Sequence, residues 1–201
     1  MESRLTPLQC RVLEILAPVE PPFTLTGGGA LGGYHLGHRT TRDLDLFWHG
    51  RKLLETLPDE VEVRLVDAGL RVERIRTAPM FRRITAADTT EVVVIDLVAD
   101  PVPVIEAPVR LPPGILVDTP HEILVNKLCA LLSRSETRDL VDVEALLLAG
   151  GSLDRALVDA AKKDGGFSPQ TLAWVLQTVR MKGWEAHVPF RDQLIDRLLS
   201  D

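Results

Sequence analysis

The spacing of apolar residues changes along the chain, and each change predicts an element. Leu8, Val12, Leu13 and Leu16 share one helical face. Thr6 can cap that helix and Pro7 suits its first turn, so residues 6–16 read as a helix. "PPFTLT" is a breaker followed by a short strand, and a glycine run leads into a short helix near 30–36. "DLDLFW" alternates and reads as a strand. Residues 51–69 read as mostly helical, closing on Gly69. "LRVERIRT", "MFRRITA" and "TEVVVIDLVAD" read as strands, the last two joined by a polar turn at 87–90. Residues 101–114 carry five prolines, a density at which no helix survives. Beyond them the pattern is helical to the end. "DTPHEILVNKLCALL" opens with Thr119 and Glu122 in capping-box spacing and Pro120 at the first position. Three further helical segments start or end at serines and glycines, and "FRDQLIDRLL" is last. The expected fold is α/β (α+β): a mixed sheet flanked by helices in residues 1–114, then a helical region, 115–201, packed on it.

Composition changes this picture little. With 201 residues, 45% of them hydrophobic, the chain can bury a substantial core. A net charge of −6 gives no global basic field for nucleic acid. Residues 71–83 are a local exception, with five arginines against one acid, and they read first as a solvated face or edge strand. The two cysteines, Cys10 and Cys129, have no metal or redox spacing. They read as buried free thiols, which suits a cytoplasmic protein. No apolar run approaches the ~18 residues of a membrane span.

The stretch "FTLTGGGALGGYHLG" holds a literal G-x-G-x-x-G at Gly27, Gly29 and Gly32. A dinucleotide site needs a full helix after the glycines and an acid near the end of the next strand. Here the intervening segment is short and itself glycine-rich, and Asp43 and Asp45 begin the next strand. A phosphate loop of the Lys-Ser/Thr type is absent too. The glycines and the acids make better sense as one site. Alternation puts Asp43 and Asp45 on one face of the strand, about 7 Å apart, with Leu44 and Leu46 on the other. Folding does not ask for that pairing, because like charges repel unless a cation lies between them. Oxygen donors so placed suit magnesium. The glycine run offers unobstructed backbone N–H groups to phosphate. Together they form a layout for metal-assisted phosphoryl transfer. Such a site needs a third carboxylate, and Asp96, inside "VVVIDLVA", is the candidate. A second reading of Asp96 is an ion pair with Arg82 or Arg83 across the hairpin. Asp100 shares its parity but, beside Pro101, suits a turn.

"LTGGGALGGYHLGHRTTRDLDLF" resembles the opening motif of the nucleotidyltransferase fold of DNA polymerase beta-like enzymes, and more closely its AbiEii/AbiGii toxin branch. The matching positions are Gly28, Gly29, Ala30, Leu31, Arg39, Thr41, Asp43 and Asp45. A second stretch, "EILVNKLCALLSRSETRDLVDVEAL", resembles the branch's helical segment through Lys127, Ala130, Leu131, Arg134, Arg138, Asp139 and Asp142. Many members of the fold have Gly-Ser where this chain has Gly28 and Gly29, so a hydroxyl on the phosphate is missing. The resemblance implies that Asp43, Asp45 and Asp96 hold two Mg2+ ions, with Asp96 helping to deprotonate the attacking hydroxyl. It implies that Gly28, Gly29 and Arg39 meet the triphosphate of an NTP, with Lys127 and Arg138 as further nucleotide contacts. It also implies a cognate antitoxin. By the residues alone, Lys127 also reads as a solvated helix lysine, and Arg138 with Asp142 as a surface pair at i,i+4. His35 and His38 lack a third ligand at metal spacing and read as rim or structural residues.

The expected function is transfer of an NMP to an acceptor hydroxyl on RNA, such as tRNA, or on protein. Two alternatives stay open. One is the same chemistry on a small cationic acceptor, which the acidic charge favours. The other is a non-catalytic nucleotide-binding module.

Overall fold

The computed structural model describes residues 3–180 and 183–200. The chain divides into two compact units, residues 1–119 and 120–201.

The first unit is built on a seven-stranded mixed sheet: β1 (Thr24–Thr26), β2 (Asp43–His49), β3 (Arg71–Ala78), β4 (Phe81–Ala87), β5 (Val92–Asp100), β6 (Val109–Leu111) and β7 (Ile115–Val117). Its order is β3-β4-β5-β2-β1-β7-β6. β2 pairs with β5, and β1 with β7, in parallel; the other neighbours are antiparallel. Its helices are α1 (Pro7–Leu16), α2 (Gly27–Ala30), which continues as a π turn over Leu31–His35, and α3 (Leu57–Asp67). α1 starts where expected, through a full capping box: Thr6 Oγ1 accepts from the Gln9 N–H and the Gln9 side chain accepts from the Thr6 N–H. α3 is shorter than the expected 51–69, beginning only at Leu57 with Pro58 in its first turn.

The arginine-rich β3 is an edge strand, as its charge pattern predicts. The proline segment does contain strand. β6 lies within it between Pro108 and Pro112, and β7 follows it, so the sheet continues beyond residue 114. Cys10 also differs from expectation: α1 buries Leu8, Gln9, Val12, Leu13 and Leu16, which leaves Cys10 exposed, and Cys129 is half-buried.

The strongest core signal is β2. Leu44, Leu46 and Trp48 are buried while the residues between them are half-buried. Each leucine so placed contributes ~1.5–3 kcal/mol of transfer free energy. The register identifies what covers that face. Arg82 pairs across Leu97, and Leu97 across Leu46. Arg82 is bonded to Asp59 and Glu62 of α3. The leucine face therefore lies on the α3 side of the sheet, and the alternating acids lie on the other side.

The second unit is helical: α4 (Pro120–Ser133), α5 (Thr137–Leu148), α6 (Leu153–Lys163), α7 (Pro169–Thr178) and α8 (Val188–Leu199), the last preceded by a 3-10 turn at Glu185–His187. α4 packs on α5, α6 and α7, and α7 on α8. Ser152 and Ser168 cap α6 and α7 by accepting from Arg155 N–H and Thr171 N–H. Among the described residues no helix is long and apolar enough to cross a membrane.

Candidate functional site

A row of side chains crosses the acidic face of the sheet. Arg76 on β3 is paired with Arg83 on β4, Arg83 with Asp96 on β5, Asp96 with Asp45 on β2, and Asp45 with Thr26 on β1. Residues facing each other across a parallel pair lie about 4.8 Å apart on the same face. The parallel register thus brings Asp45 beside Asp96, fifty-one positions later in the chain. Asp43, two residues earlier on β2, has the same parity.

The glycine run borders this row. Gly27 has φ +60, and a Cβ there would lie 2.5 Å from Asp45 Oδ2. A side chain at 27 would therefore occupy the space beside the carboxylate, and the left-handed backbone itself favours glycine. A Cβ on Gly28 would lie 2.9 Å from an Arg39 guanidinium nitrogen and 3.1 Å from Thr41 Oγ1. Arg39, expected at the phosphate, thus lies against the glycine segment. Gly29 plays a different part: its Cβ would press on Leu25 and Leu44 at 3.2 and 3.3 Å, so glycine here lets the helix start settle on the core. Of the three, Gly27 meets a carboxylate most directly, yet its only sequence signal is its place at the head of the run.

The acids are already engaged. Thr41 Oγ1 donates to Asp43 Oδ1 at 2.5 Å. Arg83 grips Asp96 with two parallel hydrogen bonds of 2.7 Å, Nε to Oδ1 and one terminal nitrogen to Oδ2. Both readings of Asp96 therefore meet on one side chain: it stands with Asp45, and it is paired across the hairpin. The bond to Asp96 raises the Arg83 pKa, and the charges of Asp43 and Asp45 add to it. The neighbouring Arg82 points to the opposite face. With these partners in place, no three His, Cys, Asp or Glu side chains among the described residues converge closely enough to hold a metal ion. The donor set itself fits magnesium: hard carboxylate oxygens on one face, with Asp45 lying close against Gly27, which has no side chain to displace it.

Further along the same face of β2, His49 lies between two acids. Its Nδ1 is 3.1 Å from Asp100 Oδ2 and its Nε2 3.4 Å from Asp118 Oδ1. Burial disfavours the imidazolium, but the two carboxylates outweigh it and the pKa rises to about 9. Asp100 also accepts from the Val102 N–H, the turn role its place before Pro101 suggests. His35 Nε2 is 2.7 Å from the Asp118 carbonyl oxygen.

The second motif gathers within the helical unit. Lys127 on α4 is buried, with Nζ 2.8 Å from Asp139 and 2.7 Å from Asp142 on α5. It is not a solvated helix lysine. Arg134 holds both oxygens of Asp139 at 2.8 Å. Burial pushes the Asp139 pKa up, but Arg134 and Lys127 more than reverse this and hold it below the usual carboxylate range. Arg138 is half-exposed and paired with Glu136 at 2.6 Å.

The sequence profile of the family described as nucleotidyl transferase AbiEii toxin, type IV toxin–antitoxin system, matches residues 11–199. Among curated proteins none matches significantly. Similar solved structures include MenT4, a nucleotidyltransferase toxin from Mycobacterium tuberculosis, at 17% identity and TM-score 0.60, covering 94% of this chain and 82% of that one. JHP933 from Helicobacter pylori is similar at 22% identity and TM-score 0.56, with 93% and 84% covered. At these identities the likeness establishes the fold.

Proposed function

Because the chain belongs to the AbiEii nucleotidyltransferase toxin family, we propose that it is a magnesium-dependent enzyme that moves an NMP from an NTP to an acceptor hydroxyl on RNA or protein. The observation that carries this reading is the register of β2 and β5, which puts Asp45 beside Asp96 with Asp43 on the same face.

Asp43, Asp45 and Asp96 would hold two Mg2+ ions, which supply charge neutralisation for the triphosphate and activation of the attacking oxygen. Asp96 accepts the proton of the acceptor hydroxyl as that oxygen attacks the α-phosphorus. The bond to the bridging oxygen breaks and pyrophosphate departs. The N–H groups at the start of α2, at the buried Gly28 and Gly29, have no acceptor within the helix and would meet the phosphate oxygens. Arg39, against Gly28, adds a positive charge. The assignment of Lys127 and Arg138 to the nucleotide rests on the family motif. The family implies a cognate antitoxin as partner.

The test is incubation of the protein and its Asp45→Ala variant with each α-labelled NTP, magnesium, and total cellular RNA and protein. Magnesium-dependent label in a macromolecule, absent with the variant, supports the reading and identifies nucleotide and acceptor class. No label with any of the four nucleotides, from folded protein, overturns the macromolecular acceptor. The small cationic acceptor, favoured by the net charge of −6, or a non-catalytic nucleotide-binding role then takes its place.

A further inference from the structure

Three carboxylates on one sheet face need a positive charge whenever no metal is bound, and the chain supplies one. Arg83 is the arginine whose parity matches Asp96; Arg82 is committed to Asp59 and Glu62 on the other face. The Arg83 guanidinium uses its planar fork to hold both oxygens of Asp96. A divalent ion on Asp96 would compete for those oxygens and repel the guanidinium. Both cations cannot keep a full grip on one carboxylate.

The two partners differ in freedom. Asp96 is fixed in a central strand with 9% of its side chain exposed, whereas Arg83 is 43% exposed. A second resting place adjoins it. The Phe81 ring, on the same strand and of the same parity, lies 5.9 Å from the Arg83 guanidinium carbon and already carries Arg76 at 5.7 Å. A guanidinium that lets go of Asp96 can move further over that ring without losing its favourable contact.

We propose that Arg83 is a built-in counter-ion that competes with divalent metal for Asp96, holding the carboxylate when the site lacks metal and retreating over Phe81 when metal binds. Arg83 is thus a positioning residue that sets the metal concentration at which the site fills. The inference rests on the reading of Asp43, Asp45 and Asp96 as metal ligands.

The experiment is Mn2+ binding without nucleotide, monitored by titration calorimetry and by loss of the free-ion electron paramagnetic resonance signal. It compares the wild type, Arg83→Gln, Arg83→Lys and Asp45→Asn. If Arg83 competes, Arg83→Gln binds Mn2+ about fivefold or more tightly than wild type, the range of an ordinary coupling between two ligands. Arg83→Lys, which keeps the charge but loses the fork, falls between them, and Asp45→Asn loses binding. Mn2+ also raises the melting temperature of Arg83→Gln more than that of wild type. Should Arg83→Gln fold poorly, Phe81→Leu tests the same idea from the other side: with the resting place removed, Mn2+ binds more weakly. Equal or weaker binding by Arg83→Gln, with Asp45→Asn still abolishing it, overturns the competition and leaves the metal reading intact. Absence of binding in both wild type and Arg83→Gln overturns the metal reading and this inference with it.

Discussion

Two of the clusters in which arginine or lysine meets aspartate differ in how well they are sealed: Lys127 with Asp139 and Asp142, and Arg83 with Asp96. In the helical unit, Lys127 lies against Asp139 and Asp142, both fully buried. On the sheet, Arg83 meets Asp96 with nearly half of the guanidinium side chain in solvent. Attraction is similar in kind, but the cost of separation is not. Taking one charge out of a sealed cluster leaves its partners stranded in low dielectric. A half-exposed cation can leave for water or an aromatic face at small cost. The first cluster is suited to fixing helices in place, and the second to exchanging one cation for another.

The comparison is broken most directly by Lys127→Met. If the helical cluster is structural, this variant loses about 3 kcal/mol of stability in a denaturant titration, because two buried carboxylates lose the ammonium they share while Arg134 still holds Asp139. A loss below about 1 kcal/mol would mean that water already enters the cluster and that the contrast is false. On the sheet, Gly27→Ala should cost about 2–3 kcal/mol, from the left-handed backbone and the contact with Asp45, and should also lower transfer activity. Undiminished stability of that variant would show that Asp45 can move aside. A third test uses the His49 cluster, the sheet unit's own enclosed charge group. The pKa of His49 is raised from 6.5 to about 9, so its contribution is complete below pH 6.5 and is lost as the pH rises through about 9. Urea unfolding should therefore show a decline on the order of 2 kcal/mol across that window, absent in His49→Gln. The smallest effect belongs to Arg138→Ala, within about 0.5 kcal/mol for a half-exposed pair. A drop in transfer activity without that stability change would place Arg138 on the nucleotide.

What is legible in the sequence follows from how local each signal is. The β2 alternation needs no partner strand, so the orientation of Asp43 and Asp45 follows from parity alone. The Thr6 cap is equally local. Asp96 is recognisable because an acid among valines demands an explanation. The choice between Arg82 and Arg83 is of another kind. The two are adjacent, and only the register of the hairpin says which shares a face with Asp96. β6 and β7 are hidden for a different reason: each is three residues long, and the prolines around β6 outweigh any strand pattern. The burial of Lys127 is also out of reach, since a helical lysine is ordinarily solvated and only packing of α4 on α5 encloses it.

The open sheet has two free margins, and the chain has treated both. On β3 the pairing with β4 slips between Arg74 and Arg76, and the strand carries exposed arginines. On β6 three residues are bounded by Pro108 and Pro112, which cannot donate a backbone hydrogen bond. Irregularity and charge at one margin, and brevity and proline at the other, deny a second chain the straight ladder it would need to add itself. The prolines that conceal β6 from a reader of the sequence also guard the folded protein against joining edge to edge into aggregates.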